Sequence, residues 1–201
     1  GVMLLNDKET GKVKCIIDGA SLTAVRTGAV GATGVKYTTR EDCTSLGIVG
    51  TGVQGFYQAL YTTKIRNIKD IYVADLNKER RLDFIEKLST KIESVNIHEA
   101  KDTKEIVEKS EIIITTTNSN LPVLPDDKEL LKGKHFIGIG SYKPSMREYP
   151  QSLYKLIDKV YIDVDFAKEE SGDLSVPIEN NWIKEEQIET LGKVIATGNI
   201  G

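Results

Sequence analysis

The chain has 201 residues, of which 39% are hydrophobic and 28% charged, and its formal net charge is −3. This composition is typical of a soluble globular protein, and the length is sufficient to bury a core. Lys and Arg are dispersed without a long basic run, and no apolar run approaches the length of a membrane span, which argues against nucleic acid and membranes as partners.

The cysteines and histidines do not predict a metal site. Cys15 and Cys43 form no CxxC pattern, and His98 and His135 are far apart in the sequence, each near a predicted strand end. Metal ligands normally occur at closer spacings than these. Because nothing else indicates secretion, we expect two unpaired thiols and a location in the reducing cytoplasm.

Residues 1–20 predict a β-hairpin, because VMLL and VKCII flank the polar turn NDKETGK. The segment SLTAVRTGAVGATGVKY then predicts a helix, which Ser21 can cap. Each of its glycines would weaken an isolated helix by about 1 kcal/mol relative to Ala. We therefore expect something to approach the backbone of this helix very closely.

From Ser45 onward, predicted strands and helices alternate. The strands are SLGIVG, DIYVAD, SVNIH, EIIITTT, KHFIGIG and KVYIDV, and the helices span residues 53–64, 78–91 and 103–109. Continuously apolar strands are typical of a parallel sheet covered on both faces. The segment IKEEQIETLGKVI predicts one more short amphipathic helix.

The fold prediction is α/β, a doubly wound and mostly parallel Rossmann sheet with a small N-terminal β-hairpin. We expect residues 21–201 to form the Rossmann domain and residues 1–20 to be the remnant of a second domain. Because the chain starts at Gly1 and ends in VIATGNIG without a closing helix, we expect it to be part of a longer protein.

A glycine-rich turn predicts a dinucleotide site, because Gly50, Gly52 and Gly55 spell GxGxxG between a predicted strand and a predicted helix. Gly50 permits the tight turn, Gly52 leaves room for a pyrophosphate, and Gly55 lets the helix pack on the strand. The helix N-terminus attracts phosphate through its free N–H groups and its dipole. The cofactor-binding residues expected here are Gly50, Thr51, Gly52, Val53 and Gln54.

Asp75 ends the next predicted strand, where a carboxylate can accept hydrogen bonds from the adenosine ribose. It would repel a 2′-phosphate, which favours NAD over NADP. Arg80 and Arg81 follow closely and could weaken that preference, so NADP stays the alternative. A purely structural glycine turn with a surface Asp is the other interpretation.

Two further strand ends complete the predicted site, because the carboxyl ends of parallel strands share one edge of the sheet. TTTNSN follows the fourth strand and GIGSYKP the fifth. The expected cofactor neighbours are Thr116, Thr117, Asn118, Gly140 and Ser141, with Tyr142 next to them. Ordinary strand and turn chemistry is the alternative for the threonines.

The segments LTAVRTGAVGA, GIVGTGVQG, FIGIGSYKPSMRE and EESGDL occur here in the order found in the ornithine cyclodeaminase/mu-crystallin family, which the chain resembles over nearly its whole length. That family includes cyclodeaminases, alanine dehydrogenases, ketimine and pyrroline-2-carboxylate reductases, and mu-crystallins. The resemblance implies a two-domain subunit in a homodimer. It also implies that much of the substrate domain is missing here, so we expect the isolated chain to turn over poorly.

By this resemblance, Arg26 of the RTGA motif binds the substrate carboxylate and Thr27 contacts a cofactor phosphate. The chemistry of a guanidinium agrees in part, because it binds a carboxylate through two parallel hydrogen bonds. A structural ion pair between Arg26 and an Asp or Glu is the alternative.

One position departs from the cyclodeaminase pattern, since the resemblance places a catalytic Asp where this chain has Tyr142. A phenol, with a pKa of about 10, is a poor base near neutrality. The resemblance therefore favours an NAD(P)-dependent oxidoreductase acting on the C–N bond of a small α-amino or α-imino acid, with Arg26 and Tyr142 as candidate catalytic residues. A deaminating cyclase and a non-catalytic, NAD(P)H-regulated binding protein of mu-crystallin type are the alternatives.

Overall fold

The computed structural model of the protein describes residues 1–197, so the last four residues of the predicted Rossmann domain lie outside the described part. The chain begins with the predicted antiparallel hairpin of β1 (Val2–Asn6) and β2 (Val13–Asp18). The carboxylate of Asp7 holds its turn by accepting hydrogen bonds from the backbone N–H groups of Glu9 and Thr10. The hairpin exposes large apolar side chains on both faces: Val2, Met3, Leu4, Leu5, Val13 and Ile16.

Helix α1 (Gly19–Thr38) is capped by Asp18, whose carboxylate accepts a hydrogen bond from the Ser21 N–H at 2.7 Å. The prediction that Ser21 is the cap was wrong, because Asp18 already occupies the extended N-cap conformation and Ser21 supplies the donor instead. Helix α2 (Val53–Ile65) packs along α1. A Cβ on Gly31 of α1 would lie 2.0 Å from Oε1 of Gln58, and one on Gly28 would lie 2.8 Å from Cβ of Tyr57, so α2 is the close neighbour that these two glycines allow.

The central sheet has five parallel strands in the order β5-β4-β3-β6-β7. The strand bounds are β3 (Ser45–Val49), β4 (Asp70–Ala74), β5 (Asn96–Glu99), β6 (Ile112–Thr115) and β7 (His135–Gly138). The helices between them are α3 (Lys78–Ser89), α4 (Thr103–Lys109) and α5 (Lys128–Leu131). The predicted Rossmann-type α/β sheet is thus confirmed.

Strand β6 shows that the sheet is covered on both faces. All its side chains are buried; Ile112 and Ile114 belong to the core beneath α1, α2 and α3, and Ile113 belongs to a second core on the opposite face. Side chains of a strand alternate between the two faces, so a continuous apolar run needs two cores. Helices cover both faces, so a site can form in the loops that follow the carboxyl ends of the strands.

The C-terminal region departs from the prediction. After α6 (Gln151–Tyr154), strand β8 (Val160–Ile162) pairs in parallel with β9 (Ile188–Thr190) in a separate two-stranded sheet. Between them lie α7 (Ala167–Glu170), α8 (Gly172–Glu179) and a 3₁₀ turn at Glu185–Gln187. The predicted single helix was therefore wrong: pairing with β8 makes Ile188–Thr190 a strand, and only α9 (Leu191–Thr197) is α-helical.

Candidate functional site

The turn between β3 and α2 needs its glycines for different reasons. Gly50 has φ +98°, a left-handed conformation, and its Cβ would lie 2.9 Å from Oγ1 of Thr116. A Cβ on Gly55 would lie 2.2 Å from the carbonyl oxygen of Gly50. In contrast, a Cβ on Gly52 would meet none of the described atoms within 4 Å. The protein itself requires Gly50 and Gly55, whereas Gly52 borders open space.

The N-terminus of α2 has no side-chain cap. Its N-cap residue is Gly52, and no side chain of the described residues caps it there. The other longer helices α1, α3 and α8 all begin with a capping side chain: Asp18, Asn77 and Ser171. Uncapped N–H groups and the positive end of a 13-residue helix dipole favour an anion. The open space over Gly52 therefore fits a phosphate group.

Asp75 stands at the end of β4 and holds this turn directly. Its Oδ2 accepts hydrogen bonds from the N–H of Thr51 at 2.8 Å and from the Thr51 hydroxyl at 2.9 Å, while Oδ1 accepts from the Asn77 N–H at 2.9 Å. Burial alone would raise the pKa of Asp75, but the hydrogen bonds from Asn77 and Thr51 outweigh it and lower that pKa. The carboxylate is thus ionised near neutrality, with one acceptor position of Oδ1 left over.

The two arginines that follow Asp75 are used differently. Arg81 donates to the backbone oxygen of Asp75 and forms a 2.8 Å ion pair with Glu99. Arg80 is exposed and forms no ion pair with a described residue. Of these two arginines, Arg80 is therefore the one whose guanidinium stays available to a second anion.

The ends of β6 and β7 are joined to the glycine turn and to each other. The Thr116 hydroxyl donates to the carbonyl oxygen of Gly50 at 2.7 Å. Thr117 donates its N–H at 2.7 Å and its hydroxyl at 2.6 Å to Oε1 of Glu148, and the Gly140 N–H donates to Oε2 of Glu148 at 2.8 Å. Asn118 lies beside them and is exposed.

The Ser141 hydroxyl connects the loop after β7 to the start of α8. It donates to the Met146 carbonyl oxygen at 2.6 Å and accepts hydrogen bonds from the Ser171 hydroxyl and the Asp173 N–H. Tyr142 follows and is 55% exposed, with Nζ of Lys143 5.5 Å from its ring centre. Within residues 1–197, no hydrogen bond is formed to the Tyr142 hydroxyl.

Helix α1 contributes the remaining candidates. Arg26 is exposed and forms no ion pair with a described residue, so the structural ion pair considered above is not made within residues 1–197. Thr27 Oγ1 and Gln54 Oε1 are buried polar atoms without a hydrogen-bond partner among the described residues. Gln54 and Val53 also line an open cavity of about 590 Å³ between the hairpin and the starts of α1 and α2.

Hydrogen bonds thus connect some of the predicted site residues, whereas others make no hydrogen bond to this group. Thr51 contacts Asp75, Thr116 contacts Gly50, and Thr117 and Gly140 share one partner. Arg26 and Tyr142 make no hydrogen bond to any of them within the described residues. No group of three or more His, Cys, Asp and Glu side chains in residues 1–197 could hold a metal ion, and Cys15 and Cys43 are free thiols.

Comparison with known proteins identifies the family. The sequence model of the ornithine cyclodeaminase/mu-crystallin family matches residues 1–201. The chain belongs to this family. The resemblance inferred from the RTGA, GxGxxG and SYKPSMRE segments is therefore confirmed.

Two reductases and a dehydrogenase are similar to this chain in sequence or structure, and each is considerably longer than it. The chain is 32% identical over 205 residues to a Δ1-pyrroline-2-carboxylate reductase of Bacillus cereus, covering 100% of this chain and 62% of that protein. The Thermococcus litoralis Δ1-pyrroline-2-carboxylate reductase, solved with NADH and L-proline, matches with a TM-score of 0.90 and 31% identity over 98% of this chain and 61% of that one. An archaeal alanine dehydrogenase dimer with bound NAD matches with a TM-score of 0.87 and 26% identity over 100% and 61%. The chain spans less than two thirds of the length of each of these three proteins.

The sequence analysis missed two residues that hold the loops at this end of the sheet, Glu148 and Asp173. Glu148 is fully buried and Asp173 is 7% exposed, and both sit directly behind the loop that carries Tyr142. Neither is part of a periodic pattern or a spaced motif. The only available signal was their place in the SYKPSMRE and EESGDL segments, which carry the family resemblance.

Proposed function

We propose that this chain is the cofactor-binding part of an NAD(P)-dependent oxidoreductase that acts on the C–N bond of a small α-amino or α-imino acid, with NAD as its cofactor. The observation that carries the cofactor assignment is the uncapped N-terminus of α2 beside the open space over Gly52. Family relatives solved with NADH or NAD support it. The pyrroline-2-carboxylate reductases and the alanine dehydrogenase to which the chain is similar support the proposed substrate class.

NAD(H), when bound, supplies or accepts the hydride, and the chain's own residues bind and orient the reactants. In this proposal the N–H groups at the start of α2 hold the pyrophosphate, and the free position on Oδ1 of Asp75 accepts a hydrogen bond from the adenosine ribose. An ionised carboxylate there repels a 2′-phosphate, which favours NAD. The exposed Arg80 keeps NADP as the alternative.

Arg26 is proposed to bind the substrate carboxylate. Its guanidinium is exposed and has no acidic partner within the described residues, so its five donors are available to a planar anion. Tyr142 or a water molecule is proposed as the proton donor to the amine nitrogen. Because Tyr142 stands where cyclodeaminases carry an Asp, ring closure with loss of ammonia is the less favoured reaction.

We also propose that the hairpin of β1 and β2 belongs to a second, dimer-forming domain of a longer subunit, with residues 21–201 as the Rossmann domain. An isolated two-stranded hairpin is at best marginally stable in water, and this one exposes six large apolar side chains.

The free thiols of Cys15 and Cys43 fit a reducing cytoplasm. None of the helices in residues 1–197 could cross a membrane.

The experiment that tests the function uses the full-length protein. NADH and NADPH absorbance is followed with Δ1-pyrroline-2-carboxylate, with 2-oxo acids plus ammonia or methylamine, and with L-ornithine as the cyclodeaminase substrate. We expect cofactor oxidation with the cyclic imine or with an imine-forming mixture, and faster oxidation of NADH than of NADPH.

The other outcomes separate the alternatives. Release of ammonia from L-ornithine would show a cyclodeaminase and refute the argument from Tyr142. Cofactor binding without turnover of any compound in the panel would contradict the oxidoreductase proposal and favour a binding protein of mu-crystallin type.

A further inference from the structure

Glu148 lies where two neighbouring strands of the sheet separate. The backbone ladder between β6 and β7 ends with the hydrogen bond from the Ile139 N–H to the Thr115 carbonyl oxygen at 2.9 Å. Beyond it, the N–H groups of Thr117 and Gly140 donate to the two oxygens of the Glu148 carboxylate, at 2.7 and 2.8 Å. The carboxylate therefore bridges the two strand ends at the point where their direct backbone pairing stops.

We propose that Glu148 is a positioning residue that fixes the carboxyl ends of β6 and β7 relative to each other, and thereby places Thr117 and Gly140 beside the nicotinamide half of the cofactor. This inference rests on the proposed function, in which the dinucleotide lies along these strand ends. In such folds, ligands bind in the crevice outside the carboxyl ends of the strands. The adenosine half belongs to the β3 and β4 ends, so the other half falls to β6 and β7.

Four hydrogen-bond donors fix the orientation of the Glu148 carboxylate. They are the two backbone N–H groups and the hydroxyls of Thr115 and Thr117, which donate at 2.9 and 2.6 Å. A Cβ on Gly140 would lie 2.0 Å from the Thr117 carbonyl oxygen and 2.5 Å from Oε2 of Glu148. The two strand ends are thus packed against the carboxylate and against each other, and a small change at Glu148 must move both.

Asp173 fixes the backbone that carries Glu148. Its carboxylate accepts hydrogen bonds from the Glu148 N–H at 2.9 Å and the Tyr149 N–H at 3.0 Å, and its own carbonyl oxygen accepts one from the Tyr154 hydroxyl at 2.8 Å. Burial raises the pKa of both carboxyls, whereas the donors around Glu148 act in the opposite direction by favouring its ionised form. Helix α8 is thereby connected to the loop that carries Tyr142.

Glu148→Gln tests the proposal, because an amide keeps the shape but turns an NH₂ group toward hydrogen-bond donors. Glu111→Gln is the matched control. Glu111 also bridges two strands, accepting hydrogen bonds from the Thr44 and Ser45 N–H groups at 2.8 and 3.2 Å, but it does so at the amino end of β6, away from the site. Both variants lose a carboxylate that several donors share, so both are expected to lose stability.

Only Glu148→Gln is expected to change the nicotinamide half of the site. In the full-length protein, kcat for the imine that wild type reduces should fall by between about tenfold and about a hundredfold, as for a reactant displaced by a fraction of an ångström. The fluorescence of bound NADH should also change. Affinity for ADP-ribose, which lacks nicotinamide, should stay within about threefold of wild type. Glu111→Gln should keep kcat and the NADH fluorescence.

Equal effects of the two variants on kcat and on NADH fluorescence would overturn the proposal and leave Glu148 with a structural role alone. If wild type reduces no imine, the proposed function fails, but the NADH and ADP-ribose measurements still decide the role of Glu148. If Glu148→Gln does not fold, Thr115→Val removes one of its four donors. That variant should shift NADH fluorescence in a folded protein, and an unchanged spectrum would count against the proposal.

Discussion

The carboxylate of Asp75 accepts hydrogen bonds from both the N–H and the hydroxyl of Thr51, at 2.8 and 2.9 Å. The residue expected to select the ribose therefore also holds the glycine turn that is expected to bind the pyrophosphate. These two roles predict different consequences for cofactor binding, and substitutions at the two positions separate them.

Asp75→Asn should weaken NADH binding by between about tenfold and about a hundredfold, the loss of one hydrogen bond to a charged group. NADPH should lose less, because removing the negative charge also removes repulsion of the 2′-phosphate. Thr51→Val should weaken both cofactors alike and by less than about tenfold, because the Thr51 N–H still bonds to Asp75. Titration with each cofactor measures these ratios. If Asp75→Asn weakens the binding of NADH and NADPH equally, the proposal that Asp75 binds the ribose is wrong.

Gly31→Ala should lower the free energy of unfolding by about 1–3 kcal/mol, because its methyl group would lie 2.0 Å from the buried Gln58 side chain between α1 and α2. Gly34→Ala is the control on the same helix. Its methyl group would meet only Cδ1 of Ile137 at 3.7 Å among the described atoms, so it should stabilise by about 0.5–1 kcal/mol. Urea unfolding measures both. A stabilising Gly31→Ala would show that the two helices separate easily.

The sequence predicted features whose causes are local. GxGxxG identified the turn because Gly50 has a left-handed backbone conformation and a Cβ on Gly55 would meet the carbonyl oxygen of Gly50 in the same turn, although the more distant Thr116 also lies against both glycines. The predictions from the sequence were wrong or incomplete where a feature depends on residues far away in the chain. Ile188–Thr190 is a strand because it pairs with Val160–Ile162. Glu148 binds partners up to 33 residues earlier in the chain, and no spacing rule connects them.

Lowering the pH should destabilise the protein through His135. Burial, and then the nearby Arg40, lower the pKa of His135 from its ordinary 6.5, while Glu111 opposes this. Its Nε2 accepts a hydrogen bond from the Arg40 N–H at 3.3 Å, which needs the neutral ring. The unfolded chain therefore takes up a proton at a higher pH than the folded one. Stability is complete above pH 6.5 and falls as the pH drops from 6.5 toward the lowered folded pKa.

The measurement compares thermal midpoints of wild type and His135→Gln across this interval. We expect the variant to show the shallower dependence on pH, since it has lost the group that titrates there. Parallel curves for the two proteins would assign the acid sensitivity to other groups.

Arg26→Lys should lower kcat/KM for the imino acid by between about tenfold and about a hundredfold, because an ammonium cannot form the two parallel hydrogen bonds of a guanidinium. The affinity for NADH and the thermal midpoint should stay unchanged, since Arg26 is exposed and has no ion pair within residues 1–197. Lys36→Gln, at the other end of α1, is the control for a lost surface charge. A loss of stability equal to the loss of activity would favour a structural role for Arg26.

The hairpin should carry part of the dimer interface in the full-length protein. Leu4 and Ile16 are directly opposite each other on β1 and β2, and they are 54% and 70% exposed. Their side chains therefore share one face, and burying that face against a partner would stabilise the assembly through the hydrophobic effect. Replacing both with Lys should convert the dimer to monomers, because two ammonium groups cannot be buried without counter-charges. Sedimentation velocity measures the mass, with Lys8→Ser in the hairpin turn as the control. A double variant that stays dimeric would place the interface elsewhere and leave this apolar face to pack within a single subunit.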